Sequence, residues 1–258
     1  MRTILKDRTG ERFTTDFGDS GTIVRYVNQH EIYVVFDGST HMIKCEYKQL
    51  KRLDNPMRPT IYGIGYIGVG EYTGLKRSGN SLHIKYYKLW CSMMARCYGN
   101  VVNTRQTYES CIVCEEWHNY QNFAKWCENN YYEVLQEKMC LDKDILVKGN
   151  KIYSPETCVF VPNRINVLFV KNDKARGEYP LGVHKRKDTG KFTSKCCIFR
   201  DGKKGYKYLG QYLTPEDAFQ VYKTFKEQHI KEVAEEYKDK IPAKLYEAMY
   251  NYKVEITD

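Results

Sequence analysis

The sequence has no apolar run approaching the ~18 residues that a membrane-crossing helix needs. Its first residues, MRTILKDRTGE, lack the apolar core of a secretory signal. Neither a membrane protein nor an exported one is expected, and cytoplasmic residence is the default. That setting disfavours a disulfide framework, so the ten cysteines read as free thiols behaving as small hydrophobes. Histidine is scarce, with six in 258 residues, and no cysteine has a histidine placed to activate it as a nucleophile. Cys111-Ile-Val-Cys114 has the spacing of half a zinc site. Cys91 and Cys97 could formally complete it, but Cys97 falls in an apolar helical stripe, so structural zinc is not expected. The glycine run from Gly63 to Gly70 lacks the preceding strand, following helix and lysine of a phosphate-binding loop, which removes a nucleotide site.

What is abundant is tyrosine and positive charge. The 23 tyrosines suit small domains and binding surfaces, because the ring can be buried while its hydroxyl stays wet. The formal charge is +9, and residues 171–211 hold 12 Lys/Arg against 4 Asp/Glu. Nearly all the excess therefore lies in one segment, the footprint of a polyanion-binding module, with a merely solvated basic face as the alternative.

The pattern along the chain predicts an α+β protein of several small domains. Residues 1–53 carry two clear strands, 22–27 and 32–36, with a turn at Asp37-Gly38, and read as a small Tudor-like β-barrel. Residues 54–81 are rich in Gly and Pro and read as a linker. Helices are expected over 83–98, presenting Tyr87, Trp90, Met94 and Cys97, and over 120–129, presenting Phe123, Trp126 and Cys127. Between residues 141 and 166 come a strand, a turn at Gly149-Asn150, a second strand and the start of a helix. Two short strands and a helix bury little alone, so the flanking helices are expected to supply their core. The last module, 179–241, reads as three short strands and a long helix. Thr214 caps that helix, Pro215 opens it and Glu216 and Asp217 lie at its positive end. A tail helix follows within 242–258.

Separated pieces in the central region carry a resemblance. Trp90, Arg96-Cys97-Tyr98, Tyr108, Val113-Cys114-Glu115-Glu116-Trp117, Leu141-Asp142-Lys143, Asn150 and Ser154 to Val161 together resemble the HNH homing endonucleases of phages, over about 75 residues. The segment from Tyr179 to about Gln228 resembles the DNA-binding domain of plant ethylene-response factors, which often accompanies phage HNH nucleases.

These resemblances imply a ββα-metal domain over 82–170 and a bound Mg²⁺ or Mn²⁺, one per site. Asp142 would be the metal-binding aspartate and Asn166 the second ligand, from the helix. Asn150 would orient the general base. Lys143 departs from the pattern, standing where the family has its general-base histidine. A lysine of ordinary pKa, about 10.4, is protonated at neutral pH and would clamp a phosphate or stabilise charge instead. Asp144 is then a further carboxylate able to activate water, and alternation along the strand would put it on the same face as Asp142. Double-stranded DNA is the implied partner. Lys185, Arg186, Lys191, Lys195, Arg200, Lys203 and Lys204 are expected on the sheet face away from the helix, with Arg186 and Arg200 reading bases. The class implied is a DNA endonuclease of phage type, working in a bacterial host cell. The other reading keeps the scaffold as a DNA-binding regulator or architectural protein without catalysis. A monomer is the default expectation.

Overall fold

The computed structural model describes residues 6–73, 81–100, 108–135, 137–170, 178–200 and 203–256, apart from the side chains of Arg200, Lys203 and Lys204. The chain is mixed α+β and divides into two compact units, Met1–Cys127 and Glu128–Asp258. That division falls inside the segment 82–170 read above as one domain. No helix among the described residues is long and apolar enough to cross a membrane.

The first unit opens with four antiparallel strands, β1 (Arg12–Thr14), β2 (Ser20–Asn28), β3 (Glu31–Phe36) and β4 (Met42–Cys45), paired in sequence order. β3 alternates, with Ile32, Val34 and Phe36 on the buried face against Phe13, Ile23, Cys45 and Leu50. Such alternation is what a half-buried strand requires. Among the described residues β1 and β4 are not paired with each other, so the sheet is an open meander in place of the closed barrel expected.

The glycine-rich segment, as far as Thr73, is built into this unit. A Cβ on Gly65 would lie 2.8 Å from the Trp90 ring, and one on Gly68 would meet the Asn119 side chain. The Gln121 side chain accepts from the Tyr72 N–H and donates to the carbonyls of Ile67 and Tyr72. Glycine is needed there for close approach, which a flexible linker would not require. Helix α1 (Ser81–Tyr98) buries Tyr86, Trp90, Met93 and Met94, a stripe turned slightly from the expected one. After β5 (Ile112–Val113) and a 3-10 turn at Glu115–His118 comes α2 (Tyr120–Asn130). Trp117 is fully buried against Phe123 and Trp126, and the Trp90 indole N–H donates to its carbonyl at 2.7 Å.

The second unit contains β6 (Met139–Asp142), β7 (Ile152–Tyr153), β8 (Val159–Pro162) and α3 (Asn163–Phe169). β6 runs antiparallel to β8 with Asp142 opposite Val159, and α3 follows β8 directly. Then come β9 (Val183–Lys185), β10 (Phe192–Arg200) and β11 (Lys203–Tyr212), a sheet in the order β11-β10-β9. Helices α4 (Pro215–Tyr237) and α5 (Ala243–Tyr250) close the unit. The Thr214 hydroxyl accepts from the Asp217 N–H at 3.1 Å, the N-cap expected from the sequence.

Helix α4 serves two cores. Its first turns, at Ala218, Phe219 and Tyr222, pack against Val183, Phe192 and Cys196 of the sheet. Its later turns, at Ile230, Val233, Ala234 and Tyr237, join Leu245 and Met249 of α5 over Val159, Val161 and Ile165. Within this unit the strand-turn-strand-helix segment is thus cored from its C-terminal side, by α4 and α5. In the sheet, Ser194 is fully buried and among the described residues its hydroxyl has no hydrogen-bond partner. Removing an orphaned buried hydroxyl relieves its desolvation cost. Ser194→Ala should therefore raise stability by about 1 kcal/mol, a gain of a few degrees in a thermal melt.

Candidate functional site

The chain between β6 and β7 is shaped by three side chains turned on its own backbone. Asp142 ends β6, and its Oδ1 accepts from the N–H groups of Asp144 at 2.9 Å and Ile145 at 2.8 Å, starting the turn. Asn150 ends the turn. Its Nδ2 donates to the carbonyls of Lys143 at 2.6 Å and Ile152 at 2.7 Å, while its Oδ1 accepts from the Ile152 N–H. Lys143 is buried, and its Nζ donates to the Asn150 carbonyl at 2.9 Å and to Asp144 Oδ2 at 3.1 Å. Lys143 and Asn150 therefore form a reciprocal latch, each side chain holding the other's carbonyl. Gly149, in the left-handed region at φ +78°, gives the turn its sharp return.

The latch brings Asp144 beside Asp142 through a turn; β6 has already ended at Asp142, so strand alternation plays no part. Burial, followed by the nearby Asp144 carboxylate, pushes the Asp142 carboxyl up to about 6. Two neighbouring carboxylates, one of them largely buried, repel each other, and a cation between them would relieve this. Among the described residues no three of His, Cys, Asp and Glu are grouped closely enough to hold a metal. Among the described residues the turn offers two carboxylates, Asp142 and Asp144. That fits Mg²⁺ or Mn²⁺, which commonly take one or two protein carboxylates and complete their shell with water and substrate phosphates. Asn166 is half-buried in α3, which packs on β6 and β8. No disulfide joins any of the ten cysteines among the described residues.

The basic residues of the last module divide. Lys195 is exposed and lies directly opposite Tyr208, with Cys197 opposite Tyr206 two residues on. Residues opposed in register share a face, so Lys195, Tyr206 and Tyr208 line the outer side of the sheet, with both tyrosines exposed. Lys185 is a correction to the expected set. It lies opposite the buried Phe192, and its Nζ sits 5.7 Å over that ring, on the side facing the helix. Arg186 is engaged by Asp188, with Nε to Oδ1 at 2.9 Å, and this pairing holds the Asp188 carboxyl down to about 2. Lys191 is exposed beyond the same turn, where its carbonyl accepts from the Arg186 N–H. The side chains of Arg200, Lys203 and Lys204 lie outside the described residues.

Sequence reading missed the exposed tyrosines beside Lys195; their signal was the alternation Tyr206-Lys207-Tyr208, which places both rings on one face. It also missed Lys226, which is buried at 7% exposed. Its signal was the i, i+4 series Tyr222, Lys226, Ile230 on the buried stripe of α4. Comparison with protein-family models, with curated proteins and with solved structures gave no match.

Proposed function

We propose that the protein is a DNA-binding endonuclease of the HNH type that hydrolyses phosphodiester bonds with one divalent cation. The observation that carries this reading is the Asp142–Asp144 pair, held together on a turn latched by Asn150 despite the electrostatic cost. Asp142, and Asn166 from α3, would hold the cation. When bound, the cation would supply Lewis-acid stabilisation of the scissile phosphate and the leaving oxygen. Asp144, whose carboxylate is partly exposed, would accept the proton of the attacking water. Lys143 would steady Asp144 and the loop. Lys195, flanked by Tyr206 and Tyr208, would meet the phosphate backbone of the duplex, with Lys191 at the margin.

A specific observation supports a second reading, a DNA-binding regulator on the same scaffold without catalysis. The residue at the general-base position, Lys143, is buried and both its hydrogen bonds brace the loop. The deciding experiment is nicking of supercoiled plasmid in Mg²⁺ and in Mn²⁺, with EDTA and Asp142→Ala alongside. Metal-dependent nicking that falls at least about 100-fold in D142A is the outcome expected of the nuclease, since the pair would lose its cation site. Salt-dependent duplex binding with no nicking in either metal, unchanged in D142A, would sink the nuclease reading in favour of the regulator.

A further inference from the structure

The second unit contains a pocket of about 350 Å³ where the two cores served by α4 meet. Its walls come from the end of α3 at Val167 and Leu168, from Leu181 before β9, from Lys195 and Cys197 of β10, and from Tyr222 and Lys226 of α4. The volume lies in the range of small-molecule sites. Most of this wall is apolar. Lys226 is the exception: the residue is 7% exposed, and among the described residues its ammonium has neither a hydrogen bond nor an ion pair. Burial lowers its pKa. An ammonium in so sheltered a position is ordinarily paired, and this one stands at the wall of the pocket.

The edge of the sheet adds a second feature. The Lys195 N–H donates to the Gly182 carbonyl at 2.9 Å, on the side of β10 away from β11. By the two-residue alternation of an antiparallel strand, the Cys197 N–H is directed to that same side. Among the described residues β9 pairs with β10 only as far as Ser194. Lys195 and His184, both exposed, stand at the lining as further cationic or hydrogen-bonding groups.

We propose that this pocket binds a small organic anion, an apolar or aromatic body bearing one acidic group, with the acid paired to the Lys226 ammonium and the body against Leu168, Leu181 and Tyr222. The site is separate from the Asp142 turn and does not depend on the nuclease reading. An anion supplies what the ammonium lacks, and the apolar wall favours an organic anion over inorganic phosphate. Lys195 at the rim adds charge attraction, while the hydrocarbon surface inside adds the non-polar part of the affinity.

The test uses the full chain with anilinonaphthalene sulfonate, an aromatic anion whose fluorescence rises in apolar sites, and with N-phenylnaphthylamine, its uncharged analogue. The sulfonate is expected to bind at one site at least about tenfold more tightly than the amine, a difference of ~1.4 kcal/mol. Lys226→Met should remove that preference while leaving the amine's affinity within about twofold. Because the methionine variant could repack the pocket, the wild-type protein provides an independent readout. Acetic anhydride labelling, read by peptide mass, should modify Lys226 in the free protein, and saturating sulfonate should suppress that modification. The proposal is overturned if the sulfonate does not bind, if the amine binds equally well, if K226M keeps the preference, or if bound sulfonate leaves Lys226 labelling unchanged.

Discussion

Replacing Asp142 by asparagine is expected to stabilise the metal-free protein at neutral pH, by about 1–3 kcal/mol. Asparagine keeps an Oδ1 for the Asp144 and Ile145 N–H groups, so the turn survives. What it removes is a carboxylate that the fold disfavours in its ionised form, with the carboxyl pushed up to about 6 from an ordinary 3.8. The sign follows from proton uptake. Between those two values the folded chain holds a proton that the unfolded chain has released, so the Asp142 contribution is fully favourable below about pH 4 and is lost as pH rises through about 6. The difference between D142N and wild type should accordingly be near zero in acid and grow to a plateau above about pH 7. Denaturant unfolding in EDTA across this range measures it. A flat difference, or a variant less stable than wild type at pH 8, would show that Asp142 is a structural cap and nothing more. The same experiment repeated in Mg²⁺ or Mn²⁺ should reverse the order, because a cation that binds only the folded wild type stabilises it by mass action.

The turn that carries Asp142 is where sequence reading is strongest. Asp142, Lys143 and Asn150 stand close in sequence, so their meeting needs only a local turn, and a Gly-Asn dipeptide announces one. Thr214-Pro215-Glu216-Asp217 was legible for the same reason: a helix start is decided within four residues. The failures are non-local. Nothing near residues 141–166 says that Ile230 and Leu245 will cover them, because that choice depends on how far α4 extends beyond its own sheet. The glycines from Gly63 to Gly70 look like freedom in one dimension, and the Trp90 and Asn119 side chains that require them lie far along the chain. Lys185 was assigned to the wrong side because its face is set by register with Phe192, which strand periodicity alone does not reveal. Lys226 is the instructive case. The helical period puts it on the buried stripe, but the ordinary behaviour of lysine argues for solvent, and the apolar neighbours at Tyr222 and Ile230 prevailed.

Asn150→Ala is expected to cost about 2–3 kcal/mol and lower the melting temperature by roughly 4–12 °C. The substitution deletes the side chain that bonds the Lys143 carbonyl and both backbone groups of Ile152. Solvent can recover some of these bonds, because Ile152 is exposed, which keeps the cost below the sum of three. The latch gives a sharper measurement than the single variant. Lys143→Met removes the other half, the Nζ bonds to the Asn150 carbonyl and to Asp144. If each half holds the loop for the other, losing either one already releases much of what both maintain. The double variant should therefore be less destabilised than the sum of the singles, by about 1 kcal/mol. Additive losses would mean two independent braces. For the nuclease reading, N150A should also reduce metal-dependent nicking at temperatures where it remains folded, although Asn150 spends every side-chain bond on backbone. The loss would arise because Asp144 is no longer held beside Asp142, and positioning a reacting group is worth several powers of ten when it is lost completely. Nicking that survives undiminished in folded N150A would separate the latch from the chemistry and leave it a purely structural device.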